Sequence, residues 1–263
     1  MIIDAHTHAG EFHKKQFPAE TLIASMDEAG IDYSMVISLD RAEEGSSIDE
    51  IINFCDKYPR LKPIGNFDLD DFGTEQIDKV KKYLKDGKIH AIKFYPGYQN
   101  YYPVDERILS LYEFCQSIGK PIIFHTGVLA SGSKGILKQI HPLNIDEVAN
   151  KFSDLKIVMA HFGNPWVMDA AAVVSKNPNV YVDFSGYFGE WVSISDEDLE
   201  MFLRVLKDFK IFTGGFKKCL FGTDWPLYNQ KEYLEAVQKL PMTEEEKELV
   251  FWKNANEIYQ LKI

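Results

Sequence analysis

Eight short β-rich runs, each followed by a longer segment of helical periodicity, constrain the fold of this 263-residue chain more than any other feature. The runs are Ile2 to His6, Tyr33 to Leu39, Pro63 to Phe67, Ala91 to Tyr95, Pro121 to His125, Lys156 to His161, Val180 to Phe184 and Cys219 to Thr223. Several, among them SMVISL, PIIFH and KIVMAH, are continuously apolar, the pattern of parallel strands covered on both faces. The segments between them carry helix punctuation. PAETLIASMDEAG has Pro18 near its start and Gly30 at its end, SIDEIINFCDKYP is a further helix candidate, and DERILSLYEFCQSIGK has Asp105 as N-cap and Gly119 as a stop. Strand then helix, repeated within about the 250 residues that a (β/α)8 barrel needs, predicts an α/β fold of TIM-barrel type in one domain spanning residues 1–263. A doubly wound sheet would place a Gly-rich phosphate turn after its first strand, where this chain has His-Thr-His-Ala-Gly. The final stretch, TEEEKELVFWKNANEIYQL, is expected to close the bottom or side of the barrel.

Hydrophobic residues make up 45% of the chain and charged residues 26%, so a large buried core is expected and disorder is not. The 40 acidic residues against 29 basic ones leave a formal charge of −11, which repels phosphate backbones and anionic lipid and argues against a nucleic-acid or membrane partner. The three cysteines, Cys55, Cys115 and Cys219, are odd in number and show no Cys-x-x-Cys spacing, so they read as reduced thiols. No segment approaches the 18 or so uninterrupted apolar residues of a membrane span, and a cytoplasmic location is expected.

Of the seven histidines, four stand at or just after the C-terminal ends of predicted strands: His6 and His8 after the first, His125 after the fifth and His161 after the sixth. In a βα barrel those ends surround a single mouth where catalytic groups converge. His6 and His8 are two residues apart on extended chain, so both imidazoles face one side and can chelate one ion. Asp224, in LFGTDWP at the end of the eighth strand, adds an anionic oxygen, and imidazoles with a carboxylate suit a borderline cation such as zinc. Taken singly, a His-x-His pair is as readily structural, and His125, on the face of Ile123, reads as a core histidine. Their recurrence on the first, fifth, sixth and eighth strands makes a metal site at the barrel mouth the expectation.

The ordered set IIDAHTH, IKFYP, IFHTG, VMAHFGNPW, NPNVYVDFSGY, FGTDWP and WKNANEIYQL resembles the amidohydrolase superfamily, and within it the amidohydrolase-2, or aminocarboxymuconate-semialdehyde-decarboxylase-like, branch. The resemblance covers essentially the full length. It implies that His6, His8, His125 and Asp224 ligate the metal, that Asp224 also takes a proton from the attacking water, and that His161 contacts that water or the substrate. Lys93 shares a predicted inward face with Ala91 and Tyr95. In binuclear relatives a lysine here is carbamylated and bridges two metals; in the amidohydrolase-2 branch it can hold a substrate carboxylate, and the structural alternative is a salt bridge to a neighbour such as Asp224. One Zn2+, or another divalent cation such as Mn2+, is expected rather than two.

The expected function is hydrolysis of an amide, lactone or ester bond of a small organic substrate through a metal-activated water. Non-oxidative decarboxylation of an aromatic or unsaturated carboxylic acid is the alternative on the same site, with a phosphoesterase or a non-catalytic metal-binding protein behind both. Tyr95, Trp191 and Trp225 are expected to contact the substrate, and other rings of YPGYQNYYP to lie near the mouth; each ring could equally pack loop against loop. GVLASGSKG reads as a mobile lid or a loose loop. His13, His90 and His141 are expected to be non-catalytic, and Asp70, Asp71 and the run Glu244 to Glu246 to be solvated or helix-start charge. A homodimer is the candidate assembly.

Overall fold

The computed structural model describes residues 1–39, 45–66, 68–69 and 73–263, so Phe67, Asp70 and Asp71 lie outside the described residues. Strand β1 (Ile3–Thr7) is followed by an antiparallel hairpin, β2 (Gly10–Phe12) and β3 (Lys15–Phe17). The remaining strands are β4 (Tyr33–Ile37), β5 (Leu61–Asn66), β6 (Ile92–Phe94), β7 (Ile122–His125), β8 (Ile157–Ala160), β9 (Val180–Asp183) and β10 (Cys219–Leu220). Apart from the hairpin they form one eight-stranded sheet in the order β1-β4-β5-β6-β7-β8-β9-β10, in which, among the described residues, neighbouring strands pair in parallel. Backbone bonds from Ala5 N–H to Phe221 O (2.8 Å) and from Asp224 N–H to His6 O (2.8 Å) join the sheet's two edges, which makes it a barrel.

Helices stand between the strands as the punctuation predicts. Helix α1 (Ala19–Ala29) starts after Pro18 and ends on Gly30, whose φ of 72° is the left-handed stop that glycine adopts without strain. Helix α2 (Ile48–Lys57) opens with a reciprocal capping box between Ser47 and Glu50. In the helix Glu106–Ser117 the Asp105 side chain accepts the Arg107 N–H.

The strands bury both faces. Ile3, Ala5, Met35, Ile37, Ile64, Ala91, Ile123, Val158 and Leu220 pack into one inner cluster, while Val36, Ile92, Ile122, Phe124, Ile157, Met159 and Val182 join the larger core shared with the helices. The inner cluster also takes in Ala255, Ile258 and Tyr259, so the C-terminal helical stretch plugs the barrel floor. Of the acidic run before it, Glu244 and Glu245 are exposed as expected. Glu246 is buried: its carboxylate closes a capping box with Thr243 and accepts the Phe216 N–H at 2.8 Å. Among the described residues no helix is long and apolar enough to cross a membrane.

Candidate metal centre and active-site cavity

The first and last strands of the barrel are tied together by one buried carboxylate. Asp4 accepts hydrogen bonds from Thr223 Oγ1 (2.6 Å), Thr223 N–H (3.0 Å), Gln230 Nε2 (2.8 Å) and His6 N–H (3.1 Å). Burial raises its pKa to about 6 against the pull of those donors. The β1 register shifts between Asp4 and Thr7, and such an irregularity re-aims side chains at a barrel rim. Here Ala5 packs in the barrel interior while His6 and His8 reach the mouth.

Each of these two histidines is held at Nδ1 by an acceptor. His6 Nδ1 lies 3.0 Å from Asp183 Oδ2, and His8 Nδ1 lies 3.1 Å from the Ile37 carbonyl oxygen. Because a carboxylate and a carbonyl only accept, both Nδ1 atoms carry the hydrogen and both Nε2 atoms keep a lone pair. Those Nε2 atoms stand 3.5 Å (His6) and 3.3 Å (His8) from Asp224 Oδ1. The three donor atoms lie within 4.8 Å of one another, all on buried residues, and two neutral imidazoles with a carboxylate fit a divalent cation. Phe12 stacks on the His8 ring at 4.4 Å, which adds packing behind that imidazole.

His125 lies beside His161 rather than in that three-donor group. Its Nε2 donates to the Val128 carbonyl (3.0 Å), and its Nδ1 is 3.2 Å from His161 Nε2. His161 Nδ1 in turn is 3.9 Å from Asp224 Oδ2, so the imidazole faces that carboxylate. Lys93 is fully buried with Nζ 3.3 Å from His6 Nε2, where the ammonium donates to the lone pair a cation would use. In a second grouping, His6, His161 and Asp183, His6 Nδ1 is already bonded to Asp183 Oδ2, while Asp183 Oδ1 accepts the His161 backbone N–H.

Burial disfavours charge throughout the centre. It pushes His161 down to about 3, takes His125 well below the usual histidine range, lowers His8, and brings Lys93 down to about 8 despite Asp183 and Asp224 nearby. Burial alone would raise Asp224 as well, but the imidazoles of His6, His8 and His161 outweigh it and hold the carboxyl below the usual range. His161 and Asp224 also share backbone strain, with φ of 60° and 66°, a left-handed conformation that residues with a Cβ adopt at a cost.

Above the centre opens a cavity of about 440 Å³. Its walls include Tyr95, Tyr98, Tyr187, Phe188 and Tyr228, and residues 128–131 of the loop after β7 close one side. Of the expected substrate contacts, Lys93 and Tyr95 line this cavity. Trp191 and Trp225 do not: both rings pack on Phe17 of the hairpin, at 5.7 and 5.8 Å, and Lys15 covers the Trp191 ring. Tyr101 serves the scaffold, its hydroxyl accepting the Tyr95 N–H at 3.0 Å. Among the histidines expected to be non-catalytic, His13 lies on the cavity wall, His90 bonds the Tyr259 carbonyl at the barrel floor, and His141 packs on Trp166.

Sequence alone gives no role to Asp4, Asp183 or Ser185. IIDAHTH carries Asp4 near the start of β1 and YVDFSG carries Asp183 and Ser185 at and just after the end of β9, but the partners they meet are set mainly by strand neighbours far away in sequence.

Solved structures match over the whole chain. An uncharacterised TIM-barrel protein from Bordetella bronchiseptica is 22% identical, with 99% of this chain and 98% of that one covered and a TM-score of 0.79. A probable 2-pyrone-4,6-dicarboxylic acid hydrolase from Acinetobacter baumannii with citric acid bound is 15% identical, with 98% and 99% covered and a TM-score of 0.72. A dihydroxybenzoic acid decarboxylase from Polaromonas, with bound manganese and the inhibitor 2-nitroresorcinol, is 15% identical, with 100% and 97% covered and a TM-score of 0.72. No curated protein matches the chain. At these identities the structures establish the shared barrel, while the amidohydrolase family model matches residues 3–261, nearly every residue described above, and the chain therefore belongs to the amidohydrolase family.

Proposed function

We propose that the chain is a divalent-metal-dependent decarboxylase of a small aromatic or unsaturated carboxylic acid. The observation that carries this reading is the meeting of the Lys93 ammonium with the His6, His8 and Asp224 donor set at the base of a cavity walled by aromatic rings. A cation and an ammonium side by side suit a carboxylate, and flat rings suit a flat conjugated acid. The likeness to the dihydroxybenzoic acid decarboxylase supports the same reading, and the manganese bound in that structure supports Mn2+ as a candidate beside zinc.

When bound, the cation would hold a carboxylate or neighbouring hydroxyl oxygen of the substrate and stabilise negative charge there. Lys93 orients the carboxylate that departs, and Tyr95 stands with it on the cavity wall. The carbon–carbon bond breaks with its electron pair left on the ring or alkene carbon, which takes up a proton; His161 and Asp224 are the groups placed to pass it. Burial keeps His161 neutral in the free protein, and an anionic substrate beside it raises its proton affinity. No water enters the product.

Hydrolysis of a lactone, amide or ester is the second reading. It is favoured by the ionised Asp224, within 3.5 Å of both ligand imidazoles and so placed to take a proton, and by the likeness to the 2-pyrone-4,6-dicarboxylic acid hydrolase. The two are separated by incubating Mn2+- or Zn2+-loaded protein with panels of aromatic carboxylic acids and lactones in 18O-labelled water. Carbon dioxide release with no label in the aromatic product is expected; acid release from a lactone with one labelled oxygen, and no carbon dioxide from any acid, would replace decarboxylase by hydrolase.

A further inference from the structure

Strand β9 ends on Asp183, and the two residues after Phe184 lie directly against the histidines. Ser185 Oγ is 3.0 Å from His6 Nδ1, 2.9 Å from His161 Nδ1 and 2.5 Å from Asp183 Oδ1. The Ser185 and His161 backbone N–H groups donate to that same Asp183 oxygen at 3.1 and 2.9 Å, so the carboxylate fixes both the hydroxyl and the strand end that carries His161. Ser185 and Asp183 are fully buried. Gly186, with φ of 67°, leaves open the position where a Cβ would sit 2.4 Å from His161 Nδ1, so that imidazole rests on backbone. Ser185 Oγ thus meets both rings at Nδ1: it accepts from His6 Nδ1–H, and its single hydrogen is shared between Asp183 Oδ1 and the His161 Nδ1 lone pair.

We propose that Ser185 is a positioning residue of the metal centre: its hydroxyl, clamped on Asp183, couples the ring of the ligand His6 to the ring of His161 and holds the two in one relative orientation. The proposal rests on the reading of His6 as a ligand and is indifferent to which reaction follows. Without the hydroxyl, His6 keeps Asp183, but His161 Nδ1 is left facing Asp224 Oδ2 at 3.9 Å, beyond hydrogen-bond reach, and is free to turn into the space a cation would occupy. Partners that orient a ligand ring from behind are typically worth about 10- to 100-fold in metal affinity.

Co2+ is the probe, titrated against a competing chelator into the wild type, Ser185→Ala and Ser185→Cys while its d–d absorption is recorded. Ser185→Cys keeps the size of the side chain and serves if the alanine variant does not fold. Both variants are expected to bind Co2+ about tenfold more weakly with a changed band shape, while the melting temperature of the metal-free cysteine variant stays near that of the wild type. Affinity within twofold and an unchanged spectrum in a folded variant overturn the proposal alone. A wild type that binds no Co2+ overturns it together with the metal reading, so the two failures are distinguishable.

Discussion

Lys93 and a bound cation compete for the same lone pair on His6 Nε2, at which the ammonium stands 3.3 Å away. A divalent cation and an ammonium ~4 Å apart repel by about 8 kcal/mol at an effective dielectric of about 20, so ion binding must swing Lys93 Nζ off His6 Nε2, to where the ammonium stays within reach of a substrate carboxylate. Lys93→Met is therefore expected to bind Mn2+ at least about tenfold more tightly by calorimetry, while turnover of a carboxylic acid falls about 100-fold. Weaker Mn2+ binding in the variant would mean that the lysine serves the metal instead, as a carbamate would. The position of Lys93 was legible in the sequence, because parity with Ala91 turned it inward; its partner was not, because the distance to His6 is set by how β1 and β6 face one another across the barrel. His125 teaches the same lesson. Its strand end was readable, yet the Val128 carbonyl decides which of its nitrogens remains available.

Among the elements, the apolar strands and capped helices were legible because each is specified locally, by burial on both faces or by a residue such as Pro18 or Gly30. The hairpin β2–β3 was not. Its turn at His13 and Lys14 uses φ of 49° and 59° without a glycine, so the usual turn signal is missing, and with the hairpin went the placement of Trp191 and Trp225 on Phe17. At the floor, the loop before β6 presents His90 to the Tyr259 carbonyl at 3.0 Å, and burial, with Lys120 and Lys62 nearby, lowers its pKa to about 4. A histidine whose folded pKa lies below its unfolded value of about 6.5 binds fewer protons when folded; its full contribution is present above about pH 6.5, is lost as the pH falls from there toward 4, and is gone below. The loss amounts to about 2–3 kcal/mol. In urea unfolding at pH 7 and pH 4.5, His90→Asn is expected to lose less stability between the two than the wild type; equal losses would remove His90 as a source of acid sensitivity.

For the whole molecule, a cation that binds the folded barrel and not the unfolded chain raises stability by about 2.7 kcal/mol at one hundred times its dissociation constant. In a protein of this size that corresponds to roughly 5–10 °C in melting temperature, and Asp224→Asn should lose most of the increment. An increment unaffected by Asp224→Asn would place the ion elsewhere. The tie made by Asp4 has a further consequence. Its partner Thr223 is 219 residues away, and Asp224 is docked beside His6 through the same seam. A chain emerging from the ribosome therefore carries His6 and His8 while the long stretch up to Thr223, 219 residues beyond Asp4, is still being made, with no Asp224 carboxylate to complete them. The donor set of His6, His8 and Asp224 is complete only when the last barrel strand arrives, so capture of an ion there would have to follow barrel closure, and fragments lacking that strand would not hold the ion as the barrel does.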